Sequence, residues 1–163
     1  VMLFSACSSI QVSDYSERSP QMVPEQFFDG DLTAHGIVKN RSGKVIRTFT
    51  ADIKAYWNED HGTLEEDFIF DDGEKQKRVW TLVPDANNTY QATAGDVIGI
   101  GKAKSAGNSL FLKYVLRVPY NDDTIDLTID DRMYLLNENM LLNESGMYKF
   151  GFRVGSILLV IKK

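Results

Sequence analysis

Cysteine is almost missing from these 163 residues. The single Cys7 excludes an internal disulfide and a cysteine-rich zinc site, so neither of these staples is available to the fold. Histidine is nearly as rare: His35 lies in a strand-like run and His61 in the turn Glu59-Asp60-His61-Gly62. A metal site would need both to converge with an acid, and none is expected. Basic residues are neither in excess nor clustered. With 18 Lys and Arg against 23 Asp and Glu, the formal charge of -5 disfavours nucleic acid as a partner through bulk electrostatics. After the first residues no apolar run approaches the roughly 18 residues that cross a bilayer as a helix. There is no convincing long amphipathic helix, no repeat, no Gly-x-Ser-x-Gly elbow, no phosphate loop and no dinucleotide fingerprint. The glycines at 95, 99 and 101 lack a following helix, and no cofactor is expected.

What the chain does contain is period-two alternation broken by turn chemistry. The plainest case is Thr63 to Val83, read as a hairpin about Asp71-Asp72-Gly73. Leu64, Glu66, Phe68 and Phe70 share one face of its first strand, and Gln76, Arg78, Trp80 and Leu82 share one face of its second. A two-residue Asp-Gly loop sets Phe68 opposite Lys77. A three-residue loop with Gly73 left-handed sets Leu64 opposite Trp80 and Glu66 opposite Arg78, and this register is preferred because it pairs apolar with apolar and acid with base.

The same pattern recurs. Ser109 to Pro119 turns Leu110, Leu112, Tyr114, Leu116 and Val118 inward, and Ile125, Leu127, Ile129, Asp131 and Met133 share a later face. Tyr148 to Ile161 reads as one long apolar C-terminal run. The glycine-rich stretch 95–101 suits a sharp bend of a barrel or a ligand close to the backbone. Asn40-Arg41-Ser42, Asn87-Asn88-Thr89 and Asn143-Glu144-Ser145 fit a glycosylation sequon but are read as turns. Strands at short intervals without helices predict an all-β fold, an antiparallel up-and-down meander closed into a barrel of about eight to ten strands, because closure removes exposed edges.

The first residues are of another kind. Val1 to Ala6 is apolar and ends in small residues before Cys7, after which Ser8 and Ser9 turn polar. Phe4-Ser5-Ala6-Cys7 resembles the end of a bacterial lipoprotein signal, although Phe4 replaces the usual Leu and the run has no charged start. The resemblance implies a remnant of signal peptide over residues 1–6, with the chain beginning inside its precursor, and a lipidated Cys7 that anchors the protein in a membrane. Ser8 rather than Asp after it implies an outer-membrane lipoprotein of the bacterial cell envelope facing the periplasm. Residues 7–26, polar and with Pro20 and Pro24, are read as lipidated cysteine and flexible tether, in which Tyr15 and Met22 are incidental.

From Phe27 to the C-terminus the chain resembles an uncharacterised family of bacterial lipoproteins with a lipocalin-like domain of unknown function. The resemblance is carried by Phe27-Phe28-Asp29-Gly30, by Leu64-Glu65-Glu66-Asp67-Phe68 with Asp71-Asp72-Gly73-Glu74, and by Arg78-Val79-Trp80. Gly95-Asp96-Val97-Ile98-Gly99 and Asp130-Asp131-Arg132-Met133-Tyr134 with Lys149-Phe150-Gly151 complete it. Phe28-Asp29-Gly30-Asp31-Leu32 is also similar to the lipocalin Gly-x-Trp element, with Leu32 in place of tryptophan. It implies a barrel over residues 27–163 and no established activity.

Function is read from the polar residues that the pattern places among apolar ones. Arg78, by its fork, suits a carboxylate or phosphate headgroup, with Glu66 beside it; the bland alternative is a structural ion pair. Asp96, Asp130, Asp131 and Arg132 form a second polar group, or else a strand end held by local hydrogen bonds. The expected ligand-binding residues are Glu66, Arg78, Trp80, Tyr114 and Asp131, and the expected ligand is a fatty acid, a phospholipid or another amphipathic small molecule. A second reading is a structural lipoprotein that binds a protein through a sheet edge or the C-terminal strand. A third is an enzyme on a lipid-like substrate, using Glu66 and Asp131 as acid and base.

Overall fold

The computed structural model describes residues 9–163, so the signal-like run and Cys7 lie outside the described residues. Ten strands follow one another: β1 (Gly30–Asn40), β2 (Val45–Trp57), β3 (Gly62–Phe70), β4 (Lys75–Pro84), β5 (Thr89–Thr93), β6 (Val97–Ala106), β7 (Ser109–Tyr120), β8 (Asp123–Asn137), β9 (Met140–Lys149) and β10 (Phe152–Lys162). Each pairs antiparallel with its sequence neighbours, and β10 returns to β1, closing a barrel. The fold is the expected lipocalin-like meander. Its turns are made by the residues that tolerate left-handed backbone, including Asn87-Asn88 and Asn121-Asp122. In the β3–β4 hairpin Gly73 is left-handed and the register sets Leu64 against Trp80 and Glu66 against Arg78, as the pairing argument required. The glycine-rich stretch bends β6: its register against β7 shifts between Ile98 and Lys102, with Gly99 left-handed.

Three expectations are corrected. The C-terminal run is not one strand, because β9 ends at Lys149 and Phe150-Gly151 turn the chain into β10. Asn143-Glu144-Ser145 is no turn: it lies inside β9, where the pleat sends Asn143 and Ser145 inward and buries both. The C-terminal strand offers no free edge to a partner, since β10 is bonded to β1 on one side and β9 on the other.

One seam of the wall is incomplete. β5 pairs with β4 only from Thr81 to Pro84, so Lys75 to Trp80 have no backbone partner on the side facing β6.

The stretch expected to be a flexible tether is packed on the barrel. Val12–Tyr15 forms a short 3-10 turn and Pro24–Phe27 a single turn, α1. Met22, 1% exposed, joins the core with Phe27 and Phe28. Burying such a side chain contributes about 1.5–3 kcal/mol, which a run of mixed polarity conceals. Tyr15 packs edge-on against Phe111 and Tyr134. Polar bonds fix the segment: Ser105 Oγ donates to the Met22 carbonyl (2.6 Å), the Trp57 indole N–H to the Phe28 carbonyl (2.7 Å), and the Tyr90 hydroxyl to the Glu25 carboxylate (2.9 Å). The Met22 N–H donates to the Gly107 carbonyl (2.7 Å). Residues 22–28 therefore seal the barrel end at which the chain enters.

That seal depends on Gly107, in the left-handed β6–β7 turn, where an added Cβ would lie 1.8 Å from the Tyr15 carbonyl oxygen. Gly107→Ala is expected to destabilise the protein by about 1–3 kcal/mol in denaturant titrations. Hydrogen exchange at the Met22 amide should accelerate more than exchange within β8 and β9; equal acceleration everywhere would mean that the segment is not separately held.

Candidate ligand-binding site

Alternation on closed strands leaves a cavity of about 140 Å³ inside the barrel. Pro24, Phe28 and Tyr90 bound it at the sealed end, and Ile53, Leu64, Leu112 and Met133 are among its walls. All five residues singled out from the sequence, Glu66, Arg78, Trp80, Tyr114 and Asp131, line it, together with Asn143 and Ser145. The pleat explains the convergence. Glu66 and Arg78 are cross-strand partners, as are Leu112 and Asp131, and Asp131 and Ser145, so carboxylates from β3 and β8 enter one space from different walls.

The pairing inside differs from the acid–base match that the sequence suggested. Arg78 is held chiefly by Asp96: its Nε lies 3.0 and 3.1 Å from the two carboxylate oxygens and its Nη2 2.8 Å from Oδ2. Glu66 stands 4.0 Å from Nη1, with both side chains 13% exposed. Asp96, in the β5–β6 connection, crosses the incomplete seam to reach Arg78, and its own carbonyl accepts from the Arg117 N–H (2.8 Å). Sequence reasoning put Asp96 with Asp130, Asp131 and Arg132. The structure disperses that group, because Arg132 bonds Asp130 (3.3 Å) while Asp131 points the opposite way, into the barrel. Nothing in the strand pattern joins residue 96 to residue 78, since that contact is made by a loop.

Asp131, 6% exposed, accepts a hydrogen bond from Ser145 Oγ. The Asn143 amide N–H donates to Ser145 Oγ (3.3 Å), and Asn143 Oδ1 is buried without a partner. Tyr114 stands edge-on to Trp80, with ring centroids 5.1 Å apart. Burial pushes the Glu66 carboxyl up to about 7; Arg78 opposes this and the charge of Asp131 adds to it. Burial likewise pushes Asp131 up to about 6, against hydrogen bonds from Ser145, Asn143 and Tyr114. Burial and then the Asp131 charge carry the Tyr114 hydroxyl well above its ordinary range. Burial works against the Arg78 charge, and the bonds to Asp96 more than restore it. Elsewhere, His35 is exposed on β1 and His61 sits in its turn; among the described residues no three acids, cysteines or histidines form a metal cluster.

With this geometry in place, comparisons locate the chain. The family described as Protein of unknown function (DUF3833) matches residues 1–163, and the chain belongs to it. No curated protein matches the sequence. Among solved structures, the barrel is similar to the S-type phycobiliprotein lyase CPES from Guillardia theta, with 12% identity and a TM-score of 0.60 over 93% of this chain and 96% of that one. A redesigned beta barrel, mFAP1, bound to DFHBI, matches with 10% identity and a TM-score of 0.44 over 85% of this chain and 97% of that one. At these identities the likeness to CPES is one of fold.

The displaced carboxyls make stability fall with rising pH. Glu66 and Asp131 bind protons more tightly folded than unfolded, so their stabilisation is whole below about pH 4 and is lost as pH rises through about 7. Glu66→Gln removes one of the two contributions, on the order of 3 kcal/mol at most. The variant should therefore gain on the wild type in urea titrations at about pH 8 and show little gain near pH 4. A difference that is the same at both pH values would disprove the assignment.

Proposed function

We propose that this DUF3833 protein is a binding barrel for an apolar or amphipathic small molecule, anchored through lipid on Cys7 as an outer-membrane lipoprotein of the bacterial cell envelope and facing the periplasm. The observation that carries the binding reading is the cavity itself: one apolar space inside a closed sheet, into which a few polar groups converge from separate strands. The anchoring reading rests on Phe4-Ser5-Ala6-Cys7 alone.

Size decides what fits as the barrel stands. The cavity of about 140 Å³ is comparable to the ~150 Å³ hole that takes up benzene, and lies below the ~300–1,000 Å³ of drug-sized sites. A body the size of an aromatic ring enters without rearrangement, whereas the full acyl chain of a fatty acid or phospholipid requires the walls to part. Glu66 and Asp131 line the same cavity, which meets the minimum for acid–base catalysis and favours an enzyme as the second reading. Binding is preferred because the surrounding walls are apolar and the space is small for a polar substrate together with attacking water.

Titration calorimetry with ethylbenzene tests the binding reading. Ala103→Leu, which fills part of the cavity from β6, should weaken uptake at least about tenfold, or ~1.4 kcal/mol, without lowering the melting temperature. Heat of binding unchanged by the filling substitution would place the ligand elsewhere. Anchoring is tested separately: metabolic labelling with a fatty acid should mark the wild-type protein and leave Cys7→Ala unlabelled in the soluble fraction, and equal labelling of both would refute it.

A further inference from the structure

Which polar end the ligand carries follows from which groups in the cavity are already spent. Arg78, the only cation among the described residues that line it, has Nε and Nη2 committed to Asp96 and turns Nη1 toward Glu66. Its bidentate edge, the part that would recognise a carboxylate or phosphate, is occupied. The acceptors are in surplus. Glu66 and Asp131 bring two carboxyls to the cavity, Asp96 brings a third to Arg78, and the buried Asn143 Oδ1 has no donor. Three acids thus face one guanidinium. The donors among their neighbours are few and placed: Ser145 donates to Asp131, and the Asn143 amide N–H donates to Ser145.

We propose that the cavity selects a small apolar molecule ending in an amine, held as an ammonium between Glu66, Asp131 and the free Asn143 oxygen, and that it rejects the anionic headgroup of a fatty acid or phosphate ester. An ammonium supplies three donors and one positive charge, which the unpartnered oxygen and the uncompensated carboxyls require. An anion would add charge beside carboxyls that cannot move away, in a site without a free cation to receive it. An organic ammonium also brings an apolar body that the cavity's apolar walls can take. The upward displacement of both carboxyls agrees with this: a cation between them favours the ionised forms, and each bound amine releases the proton a carboxyl was holding to solvent. Amine affinity therefore rises with pH until both acids are ionised, while Arg78 keeps its charge and Tyr114 its proton.

The inference rests on the binding reading, and one ligand series separates the two. Ethylbenzene, 2-phenylethanol, 2-phenylethylamine and 3-phenylpropionate share a phenyl body and differ in their ends. At about pH 8, calorimetry is expected to rank the amine first, at least about tenfold tighter than the propionate, with the amine weakening toward about pH 5 and ethylbenzene unaffected by pH. If 3-phenylpropionate matches or exceeds the amine, or ethylbenzene binds equally well, the headgroup inference fails and the binding reading survives. If none of the four binds, both fail. Asp131→Asn should weaken 2-phenylethylamine at about pH 8 at least about tenfold more than it weakens ethylbenzene, and equal losses for the two would overturn the role given to this carboxyl. Asp96→Asn, by releasing the Arg78 fork, should move the preference toward 3-phenylpropionate; an unmoved preference would show that the Arg78–Asp96 pair is not what turns anions away.

Discussion

Closure commits every second side chain of ten strands to one narrow interior, and a charge that the pleat places there must find its counter-charge or its proton within that space. The interior of this protein is organised by that demand. Arg78 cannot leave the barrel, and it is satisfied by Asp96 from across the seam and, more distantly, by Glu66. Glu66 and Asp131 cannot leave either, and both respond by holding their protons to higher pH. The hydroxyl of Ser145 and the amide of Asn143 are placed where Asp131 needs donors. The polar residues thus form a cluster between apolar walls, with one buried oxygen left over.

The barrel was legible because its information is local and periodic. Alternation and turn residues point to a closed meander of about eight to ten strands, of which the structure has ten, and the matching of Leu64 with Trp80 and of Glu66 with Arg78 points to a register that the structure reproduces. What escaped has physical causes. Asp96 reaches Arg78 from a loop, and loop positions carry no phase from which a direction could be read. Asn143 and Ser145 were polar residues on an inward face, and their membership in a turn was inferred from composition where the phase set by Leu141 and Met147 would have placed them inside. The seal at the barrel end escaped because Met22 falls in a stretch without apolar periodicity, and it shares a surface with Phe27 and Phe28 only once the barrel exists.

The sealed end also orders the molecule along its axis. Residues 22–28 bind the barrel through Ser105 and Tyr90, on the adjacent strands β6 and β5, and through Trp57 on β2, so the segment ties that pair of strands to one that β3 and β4 separate from it in the wall. The chain preceding the barrel is therefore part of the container, and the apolar space ends at Pro24 and Phe28 instead of opening to water there.

The short β5 has an energetic consequence. Around most of the circumference, parting two strands means breaking a ladder of backbone bonds together. Between the first half of β4 and the start of β6 there is no such ladder, and the Arg78–Asp96 bridge spans the interval. Unzipping the wall at that place sacrifices side-chain attraction alone, so the least costly breathing motion of the cylinder is lateral, and its latch is the same guanidinium that borders the cavity.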